Sequence, residues 1–492
     1  MVETGDSNQA YSPAVGFLYI FNLIVGTGAL ALPKAFQSAG YLLSIVLLLI
    51  SAVISYISAT FICEALSVAN AVKNKDKRRQ EVEYDDVSVS ESGPSNFEIT
   101  QRVEVSAMAN MFLSRAGVLF SSVALNVYLF GDLAIYSTTV PKSMMNMICA
   151  SINTSTVQPE DPCQEHWPHV FTRFMVYRLC VLAFICICLP MIIVGVTKTK
   201  YLQLATSVSR WTAFSLMIFL ASLQLATDGA AASPPPVNLH GFGSLFGVTV
   251  YAFMCHHSLP SLVTPMSSKS RLFPGMTGVY SIVLLFYFTL SVTGAFAFKH
   301  VEDVYTLNFF HDDNNSALYF LIDHFLVLFP IFTLTTNYPI VGITLINNIK
   351  VLKDMIMPVP EGNLTEEETL LETSDDERTI QRPHSRSIRK VDPRDLIIPA
   401  VVIALPTCIS LFTDNVLLLA SITGSYPGVG VQFIIPCLLV LAARSYSKTV
   451  LNFPVPKKHQ SPFTHPAWIY AIFGWAFFSI LMVTLNMFHL SF

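Results

Sequence analysis

Eleven apolar stretches, each about 20 residues long, recur along the chain, and this repetition limits the folds open to it. A helix needs about 20 apolar residues to cross the hydrocarbon core of a bilayer. Because lipid cannot hydrogen-bond to the backbone, such stretches are expected to be helices throughout. The predicted fold is therefore an all-α integral membrane protein with spans 1 to 11 at residues 13–35, 40–63, 116–139, 176–196, 203–226, 243–265, 276–298, 317–345, 395–412, 416–442 and 466–488.

Composition agrees with a membrane protein and excludes a soluble enzyme or a nucleic-acid-binding protein. Hydrophobic residues make up 52% of the chain and charged residues only 13%, whereas a soluble domain has roughly 25% charged residues. The net charge of -4 provides no broad basic surface for nucleic acid. The acidic residues 1–12 lack the features of a signal peptide. We expect them to form a short cytosolic N-terminus before a single transmembrane domain, 13–492.

Basic residues predict the orientation of the spans, because Lys and Arg near span ends stay on the cytosolic side. Most of the 29 Lys and Arg residues fall on the side of the N-terminus. This distribution predicts a cytosolic N-terminus and a luminal or extracellular C-terminus. Two long cytosolic loops, 72–110 and 350–394, are rich in charged residues and Ser, and we expect them to be disordered. Residues 142–172 would form a luminal loop.

Glycosylation acceptors and a cysteine pair fall on the face predicted to be luminal. Asn153 and Asn314 each begin an N-x-S sequence, although such sequences also arise by chance. Cys149 and Cys163 are spaced so that a disulfide could join them. Asn363 also begins an acceptor sequence, but it lies in a predicted cytosolic loop and should remain unmodified.

The second cytosolic loop contains a sequence typical of an acidic dileucine sorting signal. Glu366 precedes Leu370 and Leu371 with three residues between. This pattern favours an endolysosomal membrane, with the plasma membrane as the alternative, and a clathrin adaptor as a partner. Because the motif is short, chance occurrence is the competing interpretation.

Span 1 contains the sequence Gly26-Thr27-Gly28 near its middle. Glycine lowers helix stability, so two glycines around a threonine favour a break in the helix. Transporters use such breaks to bind solutes, since the freed N–H groups attract a carboxylate and the freed carbonyls bind a cation or an amine. Close packing of helices through small residues is the alternative.

Span 6 carries a second predicted break. Pro260 removes a backbone hydrogen bond and should interrupt the helix several residues earlier, between Phe253 and His257. Breaks five spans apart are what an inverted repeat of five plus five helices predicts, with span 11 as an addition. The candidate substrate-binding residues in span 6 are Tyr251, Phe253, Cys255 and His256.

Few ionisable residues lie within the spans, and each is costly to insert. Asp132 in span 3 could carry a coupling proton, or it could form an ion pair with Arg210 in span 5. His256 could titrate as a gate, or it could be hydrogen-bonded within the helix bundle. Asp323 and His324 lie toward the outer half of span 8, where a wetted helix end is the simpler interpretation.

Several segments resemble the amino acid/auxin permease family of the amino acid, polyamine and organocation transporter superfamily. They are NLIVGTGALALP at 22–33, AFMCH at 252–256, TTNYP at 335–339 and ITG at 422–424. Within that family, FEITQRVE at 97–104, YLFGDLAIY at 128–136 and HSLPSLVTPMSSK at 257–269 resemble the transmembrane protein 104 family. The resemblance covers nearly the whole membrane domain.

What the resemblance implies is a LeuT-like fold and ion-coupled transport of amino acids, driven by protons or sodium, with no other cofactor and no transition metal. Gly26, Thr27 and Gly28 would contact the carboxylate and amine of the substrate. Asn22 resembles the cation-site residue of sodium-coupled members, and its partner in span 8 would be Thr335 or Asn337. An interhelical polar contact is the alternative for these residues.

No catalytic motif accompanies these spans, so the sequence predicts that the chain is not an enzyme. The rival to a transporter is a sensor that binds an amino acid on the same fold without moving it. Both functions need the same pocket, and the sequence leaves both open.

The predicted orientation can be tested through glycosylation. We expect glycans on Asn153 and Asn314 and none on Asn363. Treatment with N-glycosidase should increase the gel mobility of the wild type and leave Asn153→Gln/Asn314→Gln unchanged. A shift that persists in the double variant and disappears after Asn363→Gln would contradict the orientation.

Overall fold

The computed structural model describes residues 10–84, 94–149, 160–164, 167–194, 200–310, 317–356 and 397–487, and these residues form helices joined by short connections, without a β-strand. In the first half, span 1 consists of two helices, 1a (Pro13–Ile24) and 1b (Thr27–Ala39). Spans 2 to 5 are single helices: Tyr41–Tyr84, Arg115–Ile148, Arg173–Val194 and Lys200–Asp228.

The second half repeats this order. Span 6 consists of helices 6a (Phe242–Ala252) and 6b (Leu259–Val263), and spans 7, 8 and 9 are Leu272–Ala297, Ala317–Ile356 and Ile397–Phe412. Span 10 begins as Val416–Thr423, widens into π-helical turns over Gly424–Gly428 and Gly430–Ile434, and continues as Ile435–Thr449; span 11 is Pro466–Met487.

Helices occupy all eleven predicted positions, but length and composition alone do not confirm eleven spans. In the described part of the chain, eight helices are long and apolar enough to cross a membrane, and the bent pair 1a and 1b makes a ninth. Span 6 falls outside this criterion because it is broken into two short helices. Ile397–Phe412 has 16 residues and is also short. The count of eleven remains a prediction.

The loop predicted to be disordered at 72–110 is ordered in most of its described residues. Span 2 remains helical to Tyr84, and residues 94–112 contain a 3₁₀ turn and a helix, Val105–Phe112. The Asn70 side chain in span 2 accepts hydrogen bonds from the backbone N–H groups of Thr100 (2.9 Å) and Gln101 (2.7 Å). The prediction of disorder is therefore wrong for these residues, because composition did not reveal that Phe97, Ile99 and Val103 pack into the core.

The other predicted loops are only partly described. Span 3 remains helical to Ile148 and span 8 to Ile356, so helices extend into both loops. The predicted disulfide between Cys149 and Cys163 is present. The glycosylation candidates Asn153, Asn314 and Asn363, and the sorting-signal residues Glu366, Leu370 and Leu371, lie outside the described residues.

A buried ion pair joins the middle of the span 2 helix to the last helix of span 10. The Glu64 side chain is fully buried and accepts two hydrogen bonds from the Arg444 guanidinium group, both 2.8 Å long. The N–H group of Ser461, in the connection to span 11, donates a third at 2.9 Å. These three hydrogen bonds satisfy the Glu64 carboxylate, and the pair holds span 2, span 10 and the connection to span 11 together.

Removing one partner of this pair should destabilise the protein strongly. Glu64→Gln leaves the Arg444 charge uncompensated, which costs about 3–5 kcal/mol for a buried pair. The midpoint of thermal unfolding in detergent, followed by size-exclusion chromatography, should fall by many degrees. Glu98→Gln is the matched control, because Glu98 pairs with Lys458 at 3.6 Å on the exposed surface, where a pair contributes about 1 kcal/mol or less. Equal losses in the two variants would show that the Glu64 pair has no special role.

Candidate functional site

Spans 1 and 6 are both interrupted near the middle, as the sequence predicted. Helix 1a ends at Ile24, and 1b begins at Thr27 with an angle of 50° between the two. Helix 6a ends at Ala252, and a 3₁₀ turn at His256–Ser258 precedes 6b. Pro260 stands in the first turn of 6b, where its missing N–H group costs no hydrogen bond. Each break leaves carbonyl and N–H groups without helical partners.

Side chains from neighbouring spans satisfy several of the freed carbonyl groups. The Tyr287 hydroxyl in span 7 lies 2.8 Å from the Ile24 carbonyl oxygen and 2.9 Å from that of Ala252. With one proton, it donates to one of the two at a time. The Arg210 guanidinium group donates to the Asn22 carbonyl oxygen. Tyr287 therefore links the two breaks directly.

The N-terminus of 1b carries no side-chain cap. Its first N–H groups have no acceptor within the helix, and the helix dipole adds partial positive charge there. Gly26 and Gly28 differ in their surroundings. A Cβ atom on Gly28 would lie 2.6 Å from the Cα of Ala252, so Gly28 permits contact between 1b and 6a, whereas one on Gly26 would meet nothing closer than 3.9 Å. Gly26 therefore leaves open space at the break.

A cavity of about 520 Å³ lies between these breaks. It extends toward Tyr11 and Leu262, at the face of the domain where the chain begins. Of the residues predicted from the sequence, those that line it are Asn22, Gly26, Thr27, Gly28, Asp132, Tyr251 and Asn337. The structure thus brings together predicted residues from spans 1, 3, 6 and 8.

A polar network crosses the cavity from span 1 to span 3. The Thr27 hydroxyl lies 2.9 Å from that of Tyr251. The hydroxyl groups of Tyr251 and Tyr128 interact with the Asp132 carboxyl group. Asp132 is 6% exposed, and its Oδ1 atom has no hydrogen-bond partner. One carboxylate oxygen is therefore buried without a partner on the wall of the cavity.

Two further polar groups face the cavity without partners. Neither the Oδ1 nor the Nδ2 atom of Asn22 makes a hydrogen bond, and the Nε atom of Arg210 makes none. Among the described residues, Asp132 and Arg210 form no ion pair with each other. The ion pair considered from the sequence is absent because Arg210 turns to the Asn22 carbonyl. Both charges remain available to a ligand.

Four predicted site residues do not line the cavity. His256 is fully buried against span 2, where its Nε2 atom lies 2.9 Å from the Ser58 hydroxyl and 3.1 Å from the Ser55 carbonyl oxygen. Cys255 contacts the Tyr280 hydroxyl at 3.2 Å, and Phe253 packs against aromatic rings of span 7. Thr335 is the fourth, and Asn337 occupies the cavity wall instead. Phe253, Cys255 and His256 lie off the cavity because the unwound backbone turns these side chains toward spans 2 and 7, and their assignment to substrate binding remains a prediction.

Sequence reasoning missed other residues on the cavity wall, notably Tyr128, Tyr136, Arg210 and His257. Tyr128, Asp132 and Tyr136 are four residues apart and so lie on one face of a helix. This spacing was visible in YLFGDLAIY and could have identified both tyrosines. No comparable signal separates His257 from His256, since the region between 6a and 6b has no helical periodicity.

Comparison with solved structures shows the fold. The chain matches a crystal structure of MhsT in complex with L-phenylalanine with a TM-score of 0.52 and 11% sequence identity, over 97% of this chain and 99% of that one. The match confirms the predicted LeuT-like fold. At this identity it supports no conclusion about substrate.

Sequence comparison shows the family. The family described as transmembrane amino acid transporter protein matches residues 10–485. Among curated relatives, the transmembrane protein 104 homolog of Caenorhabditis elegans is 60% identical over 98% of this chain and 97% of its own length. Transmembrane protein 104 of Homo sapiens is 36% identical over 98% of each chain, and the Dictyostelium discoideum homolog is 31% identical over 93% of each. The chain therefore belongs to the transmembrane amino acid transporter protein family, and within it to the transmembrane protein 104 group.

Proposed function

We propose that this protein moves amino acids across a membrane by alternating access, coupled to the movement of an ion. The observation that carries the proposal is the cavity between the two broken spans, where an uncapped helix N-terminus faces unpartnered polar groups. A regular helix at mid-membrane would leave no backbone group for a solute, and unsatisfied groups there are retained at a cost of several kcal/mol each. Family and fold, both those of transporters, support the same function and give no support to an enzyme.

The N-terminus of 1b suits the carboxylate of an amino acid. Gly26 and Thr27, where 1b begins, line the cavity, and the Thr27 hydroxyl adds a polar group there. Backbone donors of this kind bind carboxylates without regard to the side chain of the substrate. The cavity of about 520 Å³ leaves room beside them for that side chain.

For the coupling ion we propose a proton. Freed carbonyl groups are the usual ligands of a coupling cation in a broken-helix transporter. Here Arg210 and Tyr287 already donate to those of Asn22 and Ile24. Asp132 has a carboxyl group free to bind a proton. The competing assignment is sodium, bound by the Asn22 and Asn337 side chains, both of which line the cavity.

A sensor is the second candidate, and one structural observation favours it. Residues 94–104 are folded against span 2 through Asn70 and Ser67. An ordered loop on the helix bundle could report the state of the cavity to a partner without transport. Net uptake of substrate distinguishes the two functions.

We also propose an endolysosomal location, with the N-terminus in the cytosol and adaptor binding through Glu366, Leu370 and Leu371. The support is the sequence motif and the distribution of basic residues.

Filling the open space at Gly26 should abolish transport. Gly26→Leu places a side chain in the cavity without displacing packed backbone, so purified protein reconstituted in proteoliposomes should lose most uptake of a labelled amino acid mixture. Gly278→Leu in span 7 is the matched control, because a Cβ there meets no atom within 4 Å. Gly28→Leu is unsuitable, since it would separate 1b from 6a. Full uptake by Gly26→Leu would place the substrate elsewhere.

The ion proposal predicts dependence on protons and not on sodium. Replacing sodium by choline in the same proteoliposomes should leave uptake unchanged, because Arg210 or Tyr287 lies within hydrogen-bond distance of the freed carbonyl groups of Asn22, Ile24 and Ala252. A protonophore that collapses the pH gradient should reduce uptake to the level of empty liposomes. Uptake that requires sodium and resists the protonophore would assign coupling to the Asn22 region instead.

A further inference from the structure

We propose that Asp132 binds the ammonium group of the substrate as well as the coupling proton, so that the two compete and the carrier exchanges protons for amino acids. The inference deepens the proposed function and rests on it. It names the recognition group, the substrate class (solutes with a free ammonium group) and the direction of coupling.

An ammonium group in the cavity needs hydrogen-bond acceptors. An ammonium group has three donors and no acceptor. Of the carbonyl groups freed at the two breaks, those of Asn22, Ile24 and Ala252 are already within hydrogen-bond distance of Arg210 or Tyr287. The Oδ1 atom of Asp132 has no partner, and it is charged when the carboxyl group is ionised. It is therefore the strongest acceptor left on the cavity wall.

The N-terminus of 1b and the Asp132 carboxyl group belong to one polar network. One side chain, Tyr251, bridges Thr27 at the N-terminus of 1b to the Asp132 carboxyl group. In an α-amino acid, ammonium and carboxylate are attached to the same carbon atom. A carboxylate on the N-terminus of 1b would thus have its ammonium group within reach of Asp132. The two ends of the site match the two charges of the zwitterion.

Burying the ionised Asp132 carboxylate without a counter-ion costs free energy. The titratable and charged groups that line the cavity together with Asp132 include Tyr128 and Tyr136 from its own span, Tyr251 and His257 from span 6, and Arg210 from span 5. Among the described residues, none of them forms an ion pair with it. An ionised carboxylate without a counter-ion is unfavourable when the cavity is closed to water on both sides of the membrane. The carrier should therefore change conformation when Asp132 holds either a proton or an ammonium group.

A carrier that changes conformation only with a proton or an ammonium group on Asp132 exchanges protons for amino acids. On one side of the membrane the arriving ammonium group displaces the proton of the Asp132 carboxyl group, which leaves to that side. After the conformational change, a proton from the other side neutralises the carboxylate and the substrate leaves. One proton moves against each amino acid, with no covalent bond formed other than the O–H bond of the carboxyl group.

The direction of the pH gradient tests the proposal. Proteoliposomes with an acidic interior and a neutral exterior should accumulate a labelled amino acid mixture, and the reversed gradient should not. The pH can also be kept equal on both sides and lowered stepwise. Counterflow measured at a low external amino acid concentration should then decrease about tenfold for each pH unit of acidification, once most of the Asp132 carboxyl groups are protonated. Accumulation driven by an acidic exterior would overturn exchange and leave the transporter function intact. No accumulation with either gradient would contradict proton coupling, and the absence of counterflow as well would contradict the transporter function itself.

Variants of Asp132 and His257 show which of the two residues causes the pH dependence of counterflow. Asp132→Asn should lose both accumulation and the decrease at acidic pH, and Asp132→Glu should restore the pH dependence. His257→Asn removes the neighbouring titratable group and should keep that dependence. If His257→Asn loses the dependence while Asp132→Asn retains it, the proposal is wrong. Labelled L-lactate, in which a hydroxyl replaces the ammonium group of alanine, should not be taken up, and efficient uptake of lactate would also overturn the proposal.

Discussion

Backbone hydrogen bonding inside a membrane determines the centre of this molecule. Two helices stop halfway across, and hydrocarbon offers no partner for the carbonyl groups that are released. The Tyr287 hydroxyl lies within hydrogen-bond distance of both carbonyl groups that end 1a and 6a, and it can donate to either one. The breaks in spans 1 and 6 are therefore held at one depth and face one another, and the cavity between them follows from that arrangement.

Close helix packing around the breaks depends on residues without side chains. A Cβ on Gly247 in 6a would lie 2.1 Å from the carbonyl oxygen of Ser421, and one on Gly131 in span 3 would lie 2.4 Å from the Thr423 hydroxyl. Span 10 forms π-helical turns directly after these contacts. Such wide turns accommodate an additional residue per turn and are frequent at functional sites. Span 10 therefore packs against spans 3 and 6 beside the cavity.

Charges in the protein are used in two different ways. On the side away from Tyr11, the Lys142 ammonium group lies 2.7 Å from the Asp303 carboxylate, which also accepts a hydrogen bond from the N–H group of Val416. Glu64 and Arg444 are similarly matched. These pairs join spans and leave little capacity for a ligand. Asp132 and Arg210 form no such ion pairs. Because an unpaired charge is costly to bury in a membrane, residues of this kind are usually functional.

The sequence by itself determined the positions of the helices and both breaks, because apolar length, Gly26-Thr27-Gly28 and Pro260 act on the backbone within a few residues. Asp132, selected from the sequence as an ionisable residue within a span, also lies on the cavity wall. Only the tertiary structure decided that His257 lines the cavity while His256 bonds to span 2. In an unwound segment the direction of side chains does not follow a regular repeat, so the sequence does not predict it. The same holds for Arg210, whose partner is a carbonyl group 188 residues away along the chain, and for residues 94–112, whose order comes from contacts with span 2. These side-chain positions depend on contacts between segments that are distant in the sequence, and a local sequence pattern does not predict such contacts.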